Sequence, residues 1–237
     1  MASTYVIADI HAHLVPLAAI LAAINPQRDD TLITLGDYID RGPDTRGVLD
    51  ALIRVREKTR LIPLMGNHEE MMLLTWENAT EKGRPEIVAN WLLNGGTEAL
   101  ESYDSSSAEA GFEAIPQAHW DFLRSCGNYH QTETHIFVHA GVNPYLPMEQ
   151  QDATTLRWQR FDDPPPHISG RIVVCGHTPQ RSGFPRNIGH AVCLDTGIHV
   201  GRYLTCLKLP ENLILQADPK GQIRTSPLSA HLVAPGR

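Results

Sequence analysis

The chain has 237 residues, 42% of them hydrophobic and 20% charged, and Lys+Arg 20 against Asp+Glu 27 leaves a net charge of −7. That length suffices for one large α/β domain with a sizeable core and barely for two small ones. The mild acidity argues against broad, charge-driven nucleic-acid binding.

No apolar run approaches the roughly 20 residues of a membrane span. Asp9 interrupts the stretch where a signal peptide would be continuously apolar. The expectation is therefore a cytoplasmic protein with no membrane partner. Cys126, Cys175, Cys193 and Cys206 form no CxxC pair and read as small buried hydrophobes of a reducing compartment. Sixteen of the twenty basic residues are Arg, whose planar fork suits phosphate or carboxylate.

The elements alternate from the start. Thr4–Ala8 is β-branched and apolar and predicts a strand, and an apolar helix follows over about Pro16–Ile24. Thr31–Leu35 predicts a second strand. Asp44 then caps a helix running to Lys58, with Val48, Leu49, Leu52, Ile53 and Val55 on its apolar face. Arg60–Leu64 is a third strand and Glu69–Trp76 continues as helix, so βαβ units and a layered α/β fold are expected.

Residues 77 to 125 read as a mainly helical insertion, broken by Gly95-Gly96 and by a Ser-rich excursion at Ser102–Ala110. Trp76, Trp91 and Trp120 are expected to pack that half. Short strands follow at Asn128–Gln131, His135–His139, Arg171–Cys175, Ala191–Leu194, Tyr203–Leu209 and Asn212–Gln216. Because they close without evident helices between them, a second, largely antiparallel sheet is expected. Residues 219 to 237 read as a last strand or a loosely held tail. The whole of 1–237 is expected to form a single domain.

Five apolar strands end in metal-binding chemistry. The first ends at Asp9 and His11, the second at Asp37, Asp40 and Arg41, the third at Asn67 and His68, and two later ones at His139 and His177. Ligands collect outside the carboxyl ends of strands in open α/β sheets, so these termini point to one crevice. Imidazole and carboxylate suit Mn, Fe or Zn better than Ca. Two aspartates, three histidines and one asparagine exceed the needs of one ion. They suit two ions about 3.5–4 Å apart, with Asp37 as the natural bridge. Glycines at 36, 66, 141 and 176 would allow tight turns or close backbone approach beside them. The remaining histidines, His199 among them, have no spacing that recruits them, though His13 stands near the first motif.

In order, Ala8-Asp9-Ile10-His11-Ala12, Gly36-Asp37-Tyr38-Ile39-Asp40-Arg41-Gly42, Gly66-Asn67-His68-Glu69, His139-Ala140-Gly141 and Gly176-His177-Thr178 span residues 8 to 178. As an ordered set they resemble the signature of the phosphoprotein phosphatase family of calcineurin-like metallophosphoesterases, in its bacterial and phage branch. Leu194-Asp195-Thr196-Gly197 is similar to that branch too. Ala8 and Ala12 depart from the family pattern, which has glycine at both places.

The resemblance implies two central β-sheets forming a sandwich flanked by helices. It implies that Asp9, His11 and Asp37 hold one ion and that Asp37, Asn67, His139 and His177 hold a second, with Mn expected and Fe or Zn as alternatives. His68 would be the general acid, oriented by Asp40, and Arg41 would grip phosphate. In Trp158-Gln159-Arg160-Phe161, Arg160 is the candidate second phosphate arginine, with Arg157 as the alternative. The implied activity is phosphomonoester hydrolysis by a serine/threonine protein phosphatase, through direct in-line attack of a metal-bridging hydroxide and without a phosphoenzyme.

The alternative activity is a symmetrical diadenosine tetraphosphate hydrolase or a related nucleotide phosphatase. A catalytically silent scaffold fits less well, since no ligand is missing. The expected partner is a phosphorylated protein or peptide, or a dinucleoside polyphosphate, met by a monomer.

Overall fold

Alternate side chains of the first strand enter two different cores. In β1 (Thr4–Ala8), Val6 and Ala8 belong to one buried cluster while Tyr5 and Ile7 belong to another. This period-two division marks a strand covered on both faces. The computed structural model describes residues 2–80, 85–104 and 108–234.

The first half of the chain builds the βαβ units that the pattern predicts. After β1 come α1 (Leu14–Ile24), β2 (Thr31–Thr34), α2 (Thr45–Val55), β3 (Arg60–Pro63) and α3 (Asn67–Thr80). β1 pairs with β2, and β2 with β3, all parallel. α2 begins where expected: the Asp44 carboxylate accepts the Gly47 N–H at 2.7 Å, satisfying one of the free donors of the first turn. Its buried residues Val48, Leu49 and Leu52 lie on one face, and each fully buried leucine contributes about 1.5–3 kcal/mol by leaving water.

Four further helices, α4 (Pro85–Trp91), α5 (Thr97–Glu101), α6 (Ala108–Ala114) and α7 (Gln117–Arg124), follow before the next strand, as the helical reading of this region anticipates. A wide turn at Leu92–Gly96 joins α4 to α5, with Gly95 at φ 109°. Of the Ser-rich excursion, residues 105–107 lie outside the described residues, and residue 108 already opens α6.

The second half departs from expectation. β4 (Tyr129–Gln131), β5 (His135–Val138), β6 (Ile172–Cys175), β7 (Arg186–Asn187) and β8 (Ala191–Cys193) form a five-stranded sheet in the order β4-β5-β6-β8-β7, with helix α8 (Ala153–Trp158) between β5 and β6. Its centre is parallel, β5 with β6 and β6 with β8, and only its outer pairs are antiparallel. The expected antiparallel sheet is therefore corrected to a mixed one. Parallel neighbours need long crossovers, and the long connection carrying α8 and the shorter one carrying β7 supply them.

The last strands, β9 (Leu204–Leu209), β10 (Leu213–Ala217) and β11 (Ile223–Pro227), do not extend this sheet. They join the first one antiparallel, giving the order β11-β10-β9-β1-β2-β3. The tail region thus supplies a strand, and residues 235–237 lie outside the described residues.

The two sheets face each other across Val6, Ile33, Leu35, Phe137, Val174, Val192 and Leu207. The outer face of the first sheet is covered by α1, α2 and the helical region. That of the second is covered by Met148, Leu156 and Phe161 from the α8 region. The result is the expected sandwich flanked by helices. Among the described residues no helix is long and apolar enough to cross a membrane.

Candidate metal centre

Five of the six candidate ligands meet at the carboxyl ends of β1, β2, β5 and β6 and the start of α3, and Asp9, at the end of β1, joins them through the His177 backbone. Asp37 stands in the middle, its Oδ2 3.5 Å from His11 Nε2 and its Oδ1 3.4 Å from His139 Nε2. Asn67 Oδ1 lies 3.0 Å from both His139 Nε2 and His177 Nδ1. Asp9 Oδ1 accepts the His177 backbone N–H at 2.8 Å, which links the ends of β1 and β6 and so the two sheets. Two clusters of ligand atoms share Asp37: His11, Asp37 and His68 on one side, and Asp37, His139 and His177 on the other.

The backbone carries strain where these side chains converge. Asp9, His11, Ala12, Asp37, Asp40, Arg41 and His177 all have positive φ, between 43° and 67°. Non-glycine residues rarely adopt this region, and such strain gathers where a function over-determines the geometry. Ala12, at φ 55°, occupies one of the two places where the family pattern has glycine. Of the glycines at 36, 66, 141 and 176, Gly36 alone uses a positive φ, at 99°. Gly176 instead makes room for the Asp9 carboxylate, which a side chain there would overlap.

Several backbone contacts fix how the imidazoles present themselves. His11 Nδ1 lies 3.2 Å from the Ile39 carbonyl and His139 Nδ1 2.8 Å from that of Leu35. A carbonyl can only accept, so each Nδ1 carries the proton and each Nε2 offers a lone pair to the site. Burial pushes His11, His139 and His177 below the usual imidazole range, His177 to about 4, so they are neutral as ligation requires.

Asp37 behaves differently. Burial alone would raise its carboxyl, but the imidazoles of His139, His68, His11 and His177 outweigh that and hold it low. Asp9 is pushed well up by burial, then by the charges of Asp195 and Asp37.

The donor set fits a pair of divalent cations. The lone pair of His139 Nε2 faces Asn67 Oδ1, an acceptor against an acceptor, and Asp9 Oδ2 is buried with no hydrogen-bond partner. Three buried carboxyls, Asp9, Asp37 and Asp195, stand close enough to shift one another. Uncompensated, such an arrangement is costly, and cations bound among these atoms relieve it.

His68 sits at the edge of this cluster. Its Nδ1 is 2.7 Å from Asp40 Oδ2, and its Nε2, buried without a partner, lies 4.0 Å from Asp37 Oδ2. Burial lowers its pKa, but the charges of Asp37 and Asp40 win and hold it above the usual range. Arg41 reaches across the site and donates to His11 Nε2 at 3.3 Å.

The two candidate arginines after β5 separate clearly. Arg157 is paired with Glu70 and bonds Asn128 Oδ1 at 2.6 Å, which ties it to α3 and the loop before β4. Arg160 is exposed and makes no hydrogen bond or ion pair among the described residues. Its backbone runs between two motif loops: Gln159 packs on Gly141, and the Phe161 N–H donates to Thr178 Oγ1 at 2.9 Å.

Three neighbours were missed from sequence. Glu69, fully buried, accepts the N–H groups of Asp37, Tyr38 and Gly66 at 2.8–2.9 Å. Asp195 sits behind Asp9 and is pushed up to about 7 by burial. His199 meets the His11 ring edge-on with centroids 5.0 Å apart. The GNHE and LDTG motifs already pointed at Glu69 and Asp195, whereas nothing in the spacing pointed at His199. His13 lies behind His11, its Nδ1 on the His11 carbonyl.

Comparison with known proteins bears on this geometry. Residues 2–195 match the family model described as calcineurin-like phosphoesterase. Serine/threonine-protein phosphatase 1 of Salmonella typhimurium is 30% identical over 214 residues, 86% of this chain and 91% of that protein. A symmetrical bis(5'-nucleosyl)-tetraphosphatase of Pseudomonas fluorescens is 27% identical over 144 residues, 60% of this chain and 43% of that protein. The solved structure of a cold-active protein-tyrosine phosphatase of a psychrophilic Shewanella shares the fold, with a TM-score of 0.65 at 16% identity, covering 95% of this chain and 80% of that one.

Proposed function

Because the chain belongs to the calcineurin-like phosphoesterase family and is therefore a phosphoesterase, we propose that it hydrolyses phosphoserine and phosphothreonine in proteins or peptides with two divalent ions, Mn in the first instance. The observation that carries this reading is Asp37 shared between two ligand clusters, with the buried His68–Asp40 pair beside them. Support for a protein substrate comes from the serine/threonine phosphatase relative, which aligns along nearly the whole chain.

Asp9 and His11 would hold one ion, Asn67, His139 and His177 the other, and Asp37 both. Ions held there would supply charge neutralisation of phosphate oxygens and a water made nucleophilic at neutral pH. The chain's own residues do the rest. Arg41 turns from His11 to a phosphate oxygen, and Arg160 reaches in from the neighbouring loop, each offering bidentate N–H donors to the charge that builds in the transition state. His68 Nε2 faces the centre and gives its proton to the departing oxygen, while Asp40 holds Nδ1 and stabilises the imidazolium. Attack is direct, so no side chain becomes phosphorylated.

One observation favours a second reading, hydrolysis of a dinucleoside tetraphosphate. The Trp158 indole, 41% exposed, stands beside His177 with ring centroids 6.4 Å apart, a position from which it could stack a purine. The deciding experiment assays the Mn-loaded enzyme on phosphoserine, phosphothreonine and phosphotyrosine peptides beside diadenosine tetraphosphate. Higher kcat/KM on the phosphoserine and phosphothreonine peptides is expected. A preference for the dinucleotide above about 10²-fold, about 2.7 kcal/mol of transition-state binding, overturns the ranking.

A further inference from the structure

The Asp40 carboxylate has a second donor that lies outside every motif. Trp91, at the end of α4, directs its indole Nε1–H at both oxygens of Asp40, 3.2 Å from Oδ1 and 3.0 Å from Oδ2. Both residues are fully buried. The indole is clamped: Phe112 stacks on it at 5.4 Å between centroids and 19° between planes. A Cβ at Gly96 would stand 2.5 Å from the ring.

The same turn also holds the next residue of the motif. The Arg41 N–H donates to the Gly95 carbonyl at 3.3 Å, and a Cβ on Gly95 would lie 2.5 Å from Arg41 N. Asp40 and Arg41, both at left-handed φ near 66°, therefore rest on the turn Leu92–Gly96.

We propose that Trp91 is a positioning residue for the general acid: its indole N–H fixes the Asp40 carboxylate, and through it the orientation of His68. An indole nitrogen can only donate. It therefore favours Asp40 as an acceptor with both oxygens engaged, and it keeps the Oδ2 edge aimed at His68 Nδ1. The helical segment from α4 to α5, which lies outside the sequence motifs of the metal ligands, so becomes part of the machinery that protonates the leaving group. This rests on the reading of His68 as general acid.

The test compares Trp91→Phe, Gly96→Ala and His68→Asn with the unaltered Mn-loaded enzyme on a phosphoserine peptide and on p-nitrophenyl phosphate. The nitrophenolate leaves without needing a proton. His119→Gln serves as a control for general loosening: it weakens another buried bond of the same helical region, between His119 and Tyr103, away from Asp40. Trp91→Phe is expected to slow the peptide reaction by about 10- to 100-fold, the range of one hydrogen bond to a charged group, and the aryl reaction by less than about threefold. Gly96→Ala, which pushes the indole aside, should show the same selectivity, and His119→Gln should not.

A second readout is independent of turnover. In the metal-free protein, Asp40→Asn should move one of the four indole N–H resonances, the one that Trp91→Phe deletes. If His68→Asn is selective but Trp91→Phe slows both substrates alike or neither, the positioning role is wrong and the acid reading survives. If His68→Asn is itself unselective, both fall. An indole resonance indifferent to Asp40→Asn also overturns the proposal.

Discussion

Asp9 Oδ1 accepts the His177 backbone N–H at 2.8 Å across a sequence separation of 168 residues, while Asp9 Oδ2 is buried with no partner. The two oxygens of one carboxylate thus divide their work: one ties the sheets together, and the other, beside Gly176 and without a protein partner, is the one free for a cation. Asp9→Asn separates these roles, because the amide oxygen can still accept from His177 while the amide nitrogen cannot ligate a cation. The metal-free variant should melt at or above the wild-type temperature, since a buried carboxyl pushed up by its surroundings is gone. Affinity for Mn should fall by at least about 10²-fold, beyond the usual cost of altering a ligand's supporting partner. Calorimetric titration beside thermal melts checks both halves, and a variant that binds Mn normally would remove Asp9 from the ligand set.

His68→Asn tests the proton donor. Asn preserves a polar side chain of similar reach but cannot carry a proton to the leaving oxygen. Hydrolysis of alkyl phosphates should slow by about 10²–10⁴-fold while good leaving groups are spared. Equal losses on both substrate types, measured as kcat, would instead point to His68 as a ligand, a role its Nε2 position 4.0 Å from Asp37 Oδ2 leaves geometrically open.

How much of this was legible in the sequence depended on whether the signal was local. The apolar strands ending in Asp, Asn or His could be read residue by residue, and five of the six side chains they present come together, with Asp9 bonded to the His177 backbone. The pairing of the later strands could not be read in the same way. Nothing local to Leu204–Leu209 says that it returns to β1 rather than continuing beside β8; that choice is made by which apolar faces remain uncovered. Trp91 read as core filler for the same reason. Its packing on Phe112 follows from composition, but its bond to Asp40, 51 residues away, depends on how a helical hairpin folds back. His199 shows the limit most plainly, since it reaches His11 only because β9 returns to the first sheet.

Glu69 offers a prediction about support rather than ligation. Its carboxylate gathers three backbone N–H groups, from Asp37, Tyr38 and Gly66, and so holds the loop that carries the shared ligand. In Glu69→Gln one oxygen becomes an NH₂ group that must face those donors. A loss of about 1–3 kcal/mol in urea-induced unfolding is expected, together with weaker Mn binding, although Glu69 itself touches no cation in the proposed scheme. Unchanged stability would show that the loop is held by other means.

The metal-free protein should lose stability as the pH rises above about 6.5. Burial followed by the Asp37 charge pushes Glu69 up to about 7 from an ordinary 4.5, and burial pushes Asp195 up to about 7 from 3.8. Asp9 and His68 are also raised. A raised folded-state pKa means the native state keeps a proton that the unfolded chain has released, so its contribution is full at low pH and is lost as the pH passes through the folded value.

The lowered imidazoles of His11, His139 and His177 act in the opposite sense, adding stability as the pH climbs, but only up to their unfolded value of 6.5. Above that point the acids and His68 act alone. With EDTA present, the melting temperature should drop between pH 6.5 and 8.5 by an amount on the order of 5 °C. With saturating Mn the slope should flatten or reverse, because cation binding favours the deprotonated ligands and adds stability through mass action. Parallel melting curves in EDTA and in Mn across that range would mean that the buried carboxyls are not where the cations bind.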